Sequence, residues 1–138
     1  MSKIAVIYWS GTGNTESMAQ SIAGGLKESG AQAEIFDAAN APADLSGYEK
    51  VAFGCPSMGV EVLEESVFEP YFSSVEKNLN GKKVALFGSY GWGDGQWMRD
   101  WAQRAKAGGA NLLDEGLIQQ EAPNEEQCKS YGKKLAQF

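Results

Sequence analysis

Apolar positions along this chain follow two alternating rhythms: short unbroken or β-branched runs bounded by turn residues, and longer stretches in which they recur every three or four residues. Runs at 4–9, 33–36, 51–55, 84–88 and 111–117 predict strands. Between them, 15–29, 64–79, 96–107 and 124–137 predict helices, and in the first of these Met18, Ile22 and Leu26 fall on one face. Glycine or asparagine follows most of the helical stretches, as in Ser29-Gly30 and Asn80-Gly81, where a helix is expected to stop. Strand and helix alternating from end to end imply an α/β fold, a doubly wound parallel sheet of five strands with helices on both faces. No repeat, linker or low-complexity stretch interrupts residues 1–138, so one domain is expected. Ligands of such sheets bind outside the carboxyl ends of the strands, at a topological switch point.

Composition narrows the chemistry. A chain of 138 residues, 43% hydrophobic, can bury a core without disulfides or metal. A formal charge of −6 disfavours nucleic acid and anionic membrane surfaces; it suits basic partners, or simply solubility. Cys55 and Cys128 form no C-x-x-C motif and no signal peptide precedes them, so they read as buried or reduced thiols of a cytoplasmic protein. No run is long enough to span a bilayer. The chain has no histidine, which removes Ser-His-Asp and Cys-His catalysis and most zinc chemistry. Any reaction must lean on a cofactor.

The loops after the first, third and fourth predicted strands point to which one. Ser10-Gly11-Thr12-Gly13-Asn14-Thr15 joins the first strand to its helix, a place where backbone N–H groups converge on an anion. No lysine follows the second glycine, and Glu16 stands where a dinucleotide loop has its third glycine. A single terminal phosphate, held by neutral donors from Ser10, Thr12, Asn14 and Thr15, fits better than a triphosphate or pyrophosphate. The plainer alternative is a polar turn in which Asn14 or Thr15 caps the helix. The third strand leads into Pro56-Ser57-Met58-Gly59-Val60-Glu61, followed by Glu64-Glu65. The fourth leads into Ser89-Tyr90-Gly91-Trp92-Gly93-Asp94-Gly95, where an indole between glycines either packs on a neighbour or offers a flat face to a planar ligand. A phosphate cradle, a thioether and a glycine-flanked indole on one rim describe a pocket for a phosphorylated planar molecule, and flavin mononucleotide (FMN) fits it.

These loops, with Tyr8-Trp9 and the stretch Gly81-Lys82-Lys83-Val84-Ala85-Leu86-Phe87-Gly88, resemble the short-chain flavodoxins of anaerobic bacteria. The likeness extends over essentially the whole chain. It implies the strand order 2-1-3-4-5, FMN as cofactor, and a low-potential one-electron carrier with no substrate turnover of its own. By this resemblance Ser10, Thr12, Asn14 and Thr15, with the amides of Gly11 and Gly13, hold the phosphate. Met58 packs on the inner face of the flavin ring and Trp92 stacks on the outer face. Glu61 accepts a hydrogen bond from the flavin N3–H. Pro56, Ser57, Val60, Ser89, Tyr90, Gly91, Gly93 and Asp94 complete the cofactor-binding loops. Gly59 is the residue whose peptide turns over on reduction, its carbonyl then accepting from the flavin N5–H, a turn that glycine tolerates. Val60 departs from the pattern, since some relatives carry a small polar residue there; a β-branched side chain is stiffer in several turns. The implied cycle runs between neutral semiquinone and anionic hydroquinone, with Glu61, nearby acids and the lack of an obvious cation opposing the latter.

The expected partners are redox enzymes with basic rims, met transiently by a monomer through Glu61, Glu64, Glu65, Glu69 and Asp94. A flavin-dependent quinone or nitro reductase of the same fold is the alternative, although Trp92 would fill the space its substrate needs. A phosphoryl-accepting receiver domain would want aspartates where the chain has Trp9-Ser10 and Cys55-Pro56.

Overall fold

The computed structural model describes residues 3–138. Strands β1 (Lys3–Tyr8), β2 (Gln32–Asp37), β3 (Lys50–Gly54), β4 (Lys83–Tyr90) and β5 (Asn111–Leu112) form a parallel sheet in the order β2-β1-β3-β4-β5, and β6 (Leu117–Gln120) also pairs with β4. The order expected from the resemblance is therefore the order observed.

Two-residue alternation divides the central strands between two cores. Ile4 and Val6 of β1, with Ala52, Ala85 and Phe87, pack on Met18, Ile22 and Leu26 of α1 (Asn14–Glu28) and on Cys128 and Leu135 of α4 (Glu125–Ala136). Ala5 and Ile7, with Phe53 and Leu86, face Phe68 and Phe72 of α2 (Phe68–Glu76) and Trp97 and Trp101 of α3 (Gln96–Ala107). Helices thus cover both faces, α1 with α4 on one and α2 with α3 on the other. Lys50, buried in β3, donates its ammonium to the carbonyls of Leu135 and Ala136, 2.9 Å each, and so satisfies the carboxyl end of α4.

Two expectations need correction. The helix expected over 64–79 starts only at Phe68, because the Glu64 carboxylate accepts the backbone N–H groups of Ser66, Val67 and Phe68 at 2.7–2.8 Å. Burial alone would raise the Glu64 pKa, but these three donors hold it below the usual carboxylate range. The strand expected over 111–117 is two strands. Gly116 sits at φ 106° with Met98 and the Leu86 carbonyl against the space where a side chain would go, and its N–H donates to Asp114 Oδ1. The chain leaves the sheet there: β5 pairs with Lys83 and Val84, and pairing resumes only at Phe87 with Leu117. In the gap the Tyr131 hydroxyl donates toward the Leu86 carbonyl at 3.2 Å and toward Asp114 at 2.8 Å. The other three helices fall within one residue of their expected bounds.

Helix α1 carries the first loop, and α4 fixes α1. The two backbones cross at Gly25 and Gly132. A methyl group on Gly25 would overlap the carbonyl of Lys129, and one on Gly132 the carbonyl of Ile22. Among the described residues no helix is long and apolar enough to cross a membrane.

Candidate functional site

The loops after β1, β3 and β4 meet at the carboxyl edge of the sheet around a cavity of about 250 Å³. Ser10, Gly11, Thr12, Asn14 and Thr15 form one wall, Pro56, Ser57 and Met58 a second, and Ser89, Tyr90 and Gly91 a third. Gly13, Gly59, Val60, Glu61, Trp92, Gly93 and Asp94 stand outside this lining. Trp9 and Glu121 line it as well, and the sequence reading assigned neither to the site.

At the first wall the backbone itself starts the helix. Gly13 takes φ 98° as the residue before α1, its N–H donates to Ser10 Oγ at 3.0 Å, and no side chain caps the helix. Asn14 is the first helical residue, so capping by Asn14 or Thr15 is not what the loop does. The first-turn amides of an uncapped helix lack intrahelical acceptors and carry its positive end, a fit for a phosphate. Thr12 is exposed, whereas Thr15 is fully buried and its hydroxyl shares a 2.8 Å hydrogen bond with that of Ser89. That bond ties the first wall to the third. The Trp9 ring lies against Gly11, where an added methyl would come within 3.1 Å of it, so the indole braces the loop.

The second wall ends in a hairpin. Met58 and Val62 exchange both backbone hydrogen bonds at 2.9 Å, leaving Gly59, Val60 and Glu61 at the tip. Gly59 takes φ 52° with nothing within 4 Å of the space a side chain would occupy, and Val60 is 83% exposed. The Glu61 carboxylate accepts the Gln96 N–H at 3.1 Å, at the amino end of α3, and lies against Gly93, which has no room for a side chain.

On the third wall Tyr90 tilts against the buried Trp97 at 5.5 Å, and Trp97 donates its indole N–H to the Cys55 carbonyl. Trp92 is 63% exposed. Asp94 is paired with Arg99 at 2.9 Å, a cation on the rim that the sequence reading did not include. Two further acids assigned to the docking rim are engaged elsewhere: Glu64 holds the start of α2, and Glu69 shares Arg104 with Glu76. Glu65 remains exposed.

A larger hollow of about 500 Å³ lies at the amino ends of the strands, beside Asp44, Ser46, Asn78 and Lys82. The Lys82 ammonium there already donates to the carbonyls of Leu45 and Tyr48, and no glycine loop or aromatic face joins it. Burial pushes the free thiols of Cys55 and Cys128 up to about 12 and about 11, so both stay protonated and inert near neutral pH. Among the described residues no cluster of three or more acids or thiols is suited to hold a metal ion.

Known proteins share this fold. The family model described as Flavodoxin matches residues 6–132. A flavodoxin of Clostridium beijerinckii is 47% identical over 134 residues, 95% of this chain and 97% of that protein. A flavodoxin of Megasphaera elsdenii is 43% identical over 135 residues, 96% and 98% of the two chains. The solution structure of the two-electron reduced Megasphaera elsdenii flavodoxin superposes with a TM-score of 0.90 at 42% identity, covering 98% of this chain and 99% of that one.

Proposed function

The chain belongs to the flavodoxin family, FMN-binding electron carriers that turn over no substrate, and from that premise we propose that it is a low-potential one-electron carrier whose FMN is held by the loops after β1, β3 and β4. One observation carries the assignment of residues: an uncapped helix start, a thioether hairpin and a glycine-flanked indole share one rim. Bound FMN supplies the one-electron chemistry that no side chain of this histidine-free chain offers. Nothing in the fold or the relatives favours a quinone or nitro reductase. Absorbance of the purified chain during stepwise reduction tests the reading. A stoichiometric flavin spectrum reduced in two resolved one-electron stages is expected; a protein that takes up no FMN overturns it.

The residues divide the work. Thr12, Asn14 and the Gly11–Thr15 amides bind the phosphate, with Thr15 held in place by Ser89. Met58 packs on one face of the ring, where a polarizable thioether suits an aromatic system. Trp92, exposed and free of aromatic partners among the described residues, covers the other face. Loss of such a stacking partner costs about 2 kcal/mol, so Trp92→Ala should weaken FMN roughly thirtyfold and relieve flavin fluorescence quenching. Unchanged affinity and quenching would leave Tyr90 as the only half-buried aromatic of that wall able to stack.

Glu61 bridges the tip of the Met58–Val62 hairpin to the start of α3, with one carboxylate oxygen on Gln96 and the other without a hydrogen bond among the described residues, able to accept from the flavin N3–H. Gly59 is where the peptide has room to turn, since the Met58–Val62 pair anchors both ends of the hairpin and nothing lies within 4 Å of the space a Gly59 side chain would occupy. If its peptide reorients on reduction, a side chain there opposes the turn by about 1–1.5 kcal/mol, so Gly59→Ala should lower the first one-electron potential by about 40–60 mV. A wild-type potential in that variant would show that no peptide turn tunes the flavin.

As a redox carrier the protein passes electrons to and from redox partners. We assign docking to the flavin rim of a monomer, by an apolar centre of Met58, Val60, Val62 and Trp92 flanked by the exposed Glu65, and hence to partners with a basic border. The two unpaired, buried thiols suit a reducing cytoplasm.

A further inference from the structure

Among the described residues two that are not glycine take positive φ, Glu61 at 58° and Glu121 at 55°, and both border the flavin cavity or its rim. A left-handed backbone costs an ordinary residue roughly 1–2 kcal/mol, so it persists only where the surroundings impose it. For Glu61 the compensation is visible in its bond to the start of α3. Glu121 follows β6, and its N–H donates to the Tyr90 carbonyl at 2.7 Å, which locks it beside the third wall. Its carboxylate has no hydrogen-bond or ion-pair partner among the described residues. Among the described residues it is also the only carboxylate lining the cavity, and no lysine or arginine joins it there.

We propose that Glu121 sets an uncompensated negative charge against the bound flavin and lowers the potential at which the cofactor accepts the electron that leaves it negatively charged. The inference rests on the FMN reading above. One electron arrives from an external reductant, no bond of the protein changes, and the added charge on the flavin meets the fixed charge of Glu121. The repulsion acts across a partly solvated cavity, so it is modest and responds to salt. Glu121 is a positioning residue for charge: its side chain acts through its field alone, and its backbone bond to Tyr90 holds it in place.

The test is a dithionite titration of the FMN-loaded protein, with wild type, Glu121→Gln and Glu121→Asp compared at low and high ionic strength. Glu121→Gln keeps size and removes charge. It should favour the fully reduced over the one-electron-reduced form by about three- to tenfold at low salt, which raises the second potential by about 28–59 mV. The gain should shrink at high salt. Glu121→Asp should stay near wild type. Equal potentials in wild type and Glu121→Gln overturn the proposal, as does a shift that salt leaves untouched or that Glu121→Asp reproduces, because the backbone and not the charge would then be responsible. Failure of wild type to bind FMN would instead overturn the functional reading, so the two failures are told apart by the first spectrum.

Discussion

Riboflavin should bind this protein at least about a thousandfold more weakly than FMN, since three or more charge-assisted hydrogen bonds at about 1.5 kcal/mol or more each are lost with the phosphate. The expectation follows from how the first loop is built. Gly13 begins α1 in a left-handed conformation that leaves the first-turn amides without a side-chain acceptor, and the Trp9 indole lies against Gly11. No lysine or arginine lines the cavity, so selectivity depends on oriented dipoles and not on a mobile charge. Thr12→Ala should remove a single such bond, weakening FMN by about 1–2 kcal/mol while riboflavin binding barely changes. Fluorescence titration of both flavins against both proteins measures the four affinities. Equal affinities of wild type for the two flavins would show that the loop holds no phosphate.

The strongest sequence signals were those in which local chemistry and fold agree. The strands at 4–9, 51–55 and 84–88 are central in the sheet, so burial on both faces makes them continuous apolar runs, and they fall nearly where their patterns put them. The loop proposed to hold the phosphate stood out because its glycines and hydroxyl residues occupy a single strand-to-helix turn. What escaped depended on partners distant in the chain. Glu64 reads as the first residue of a helix by composition, yet its carboxylate captures the backbone donors ahead of that helix. The run at 111–117 looks like one strand because nothing local reveals Tyr131 and Met98 filling the gap at Gly116. That error hid Glu121: with the last strand ending at 117, residue 121 falls beyond the rim, whereas β6 actually runs beside Tyr90 and brings it into the cavity wall. Arg99 was hidden in the same way, since its pairing with Asp94 depends on how the 91–95 loop enters α3.

Gly132→Ala should destabilise the fold, at a net loss of about 2 kcal/mol. The added methyl meets the Ile22 carbonyl across the α1–α4 crossing. Backbone cannot rotate aside as a side chain does, so the helices must separate, at an overpacking cost of about 1–3 kcal/mol and occasionally more. The gain in helix propensity from glycine to alanine, roughly 1 kcal/mol, offsets only part of a cost at the upper end of that range. Gly24 provides the internal control, because it lies in α1 one residue from Gly25 with nothing within 4 Å of the space its side chain would occupy. Gly24→Ala should therefore stabilise by about 0.5–1 kcal/mol. Urea unfolding of the FMN-free proteins reads both changes, and opposite signs are expected. FMN titration adds the functional link: a displaced α1 carries the cradle with it, so Gly132→Ala should also weaken FMN relative to riboflavin, while Gly24→Ala should leave that ratio unchanged. If both variants shift stability the same way, the close crossing at Gly132 is not what fixes α1, and the bond between Thr15 and Ser89 becomes the principal tether holding the phosphate loop to the sheet.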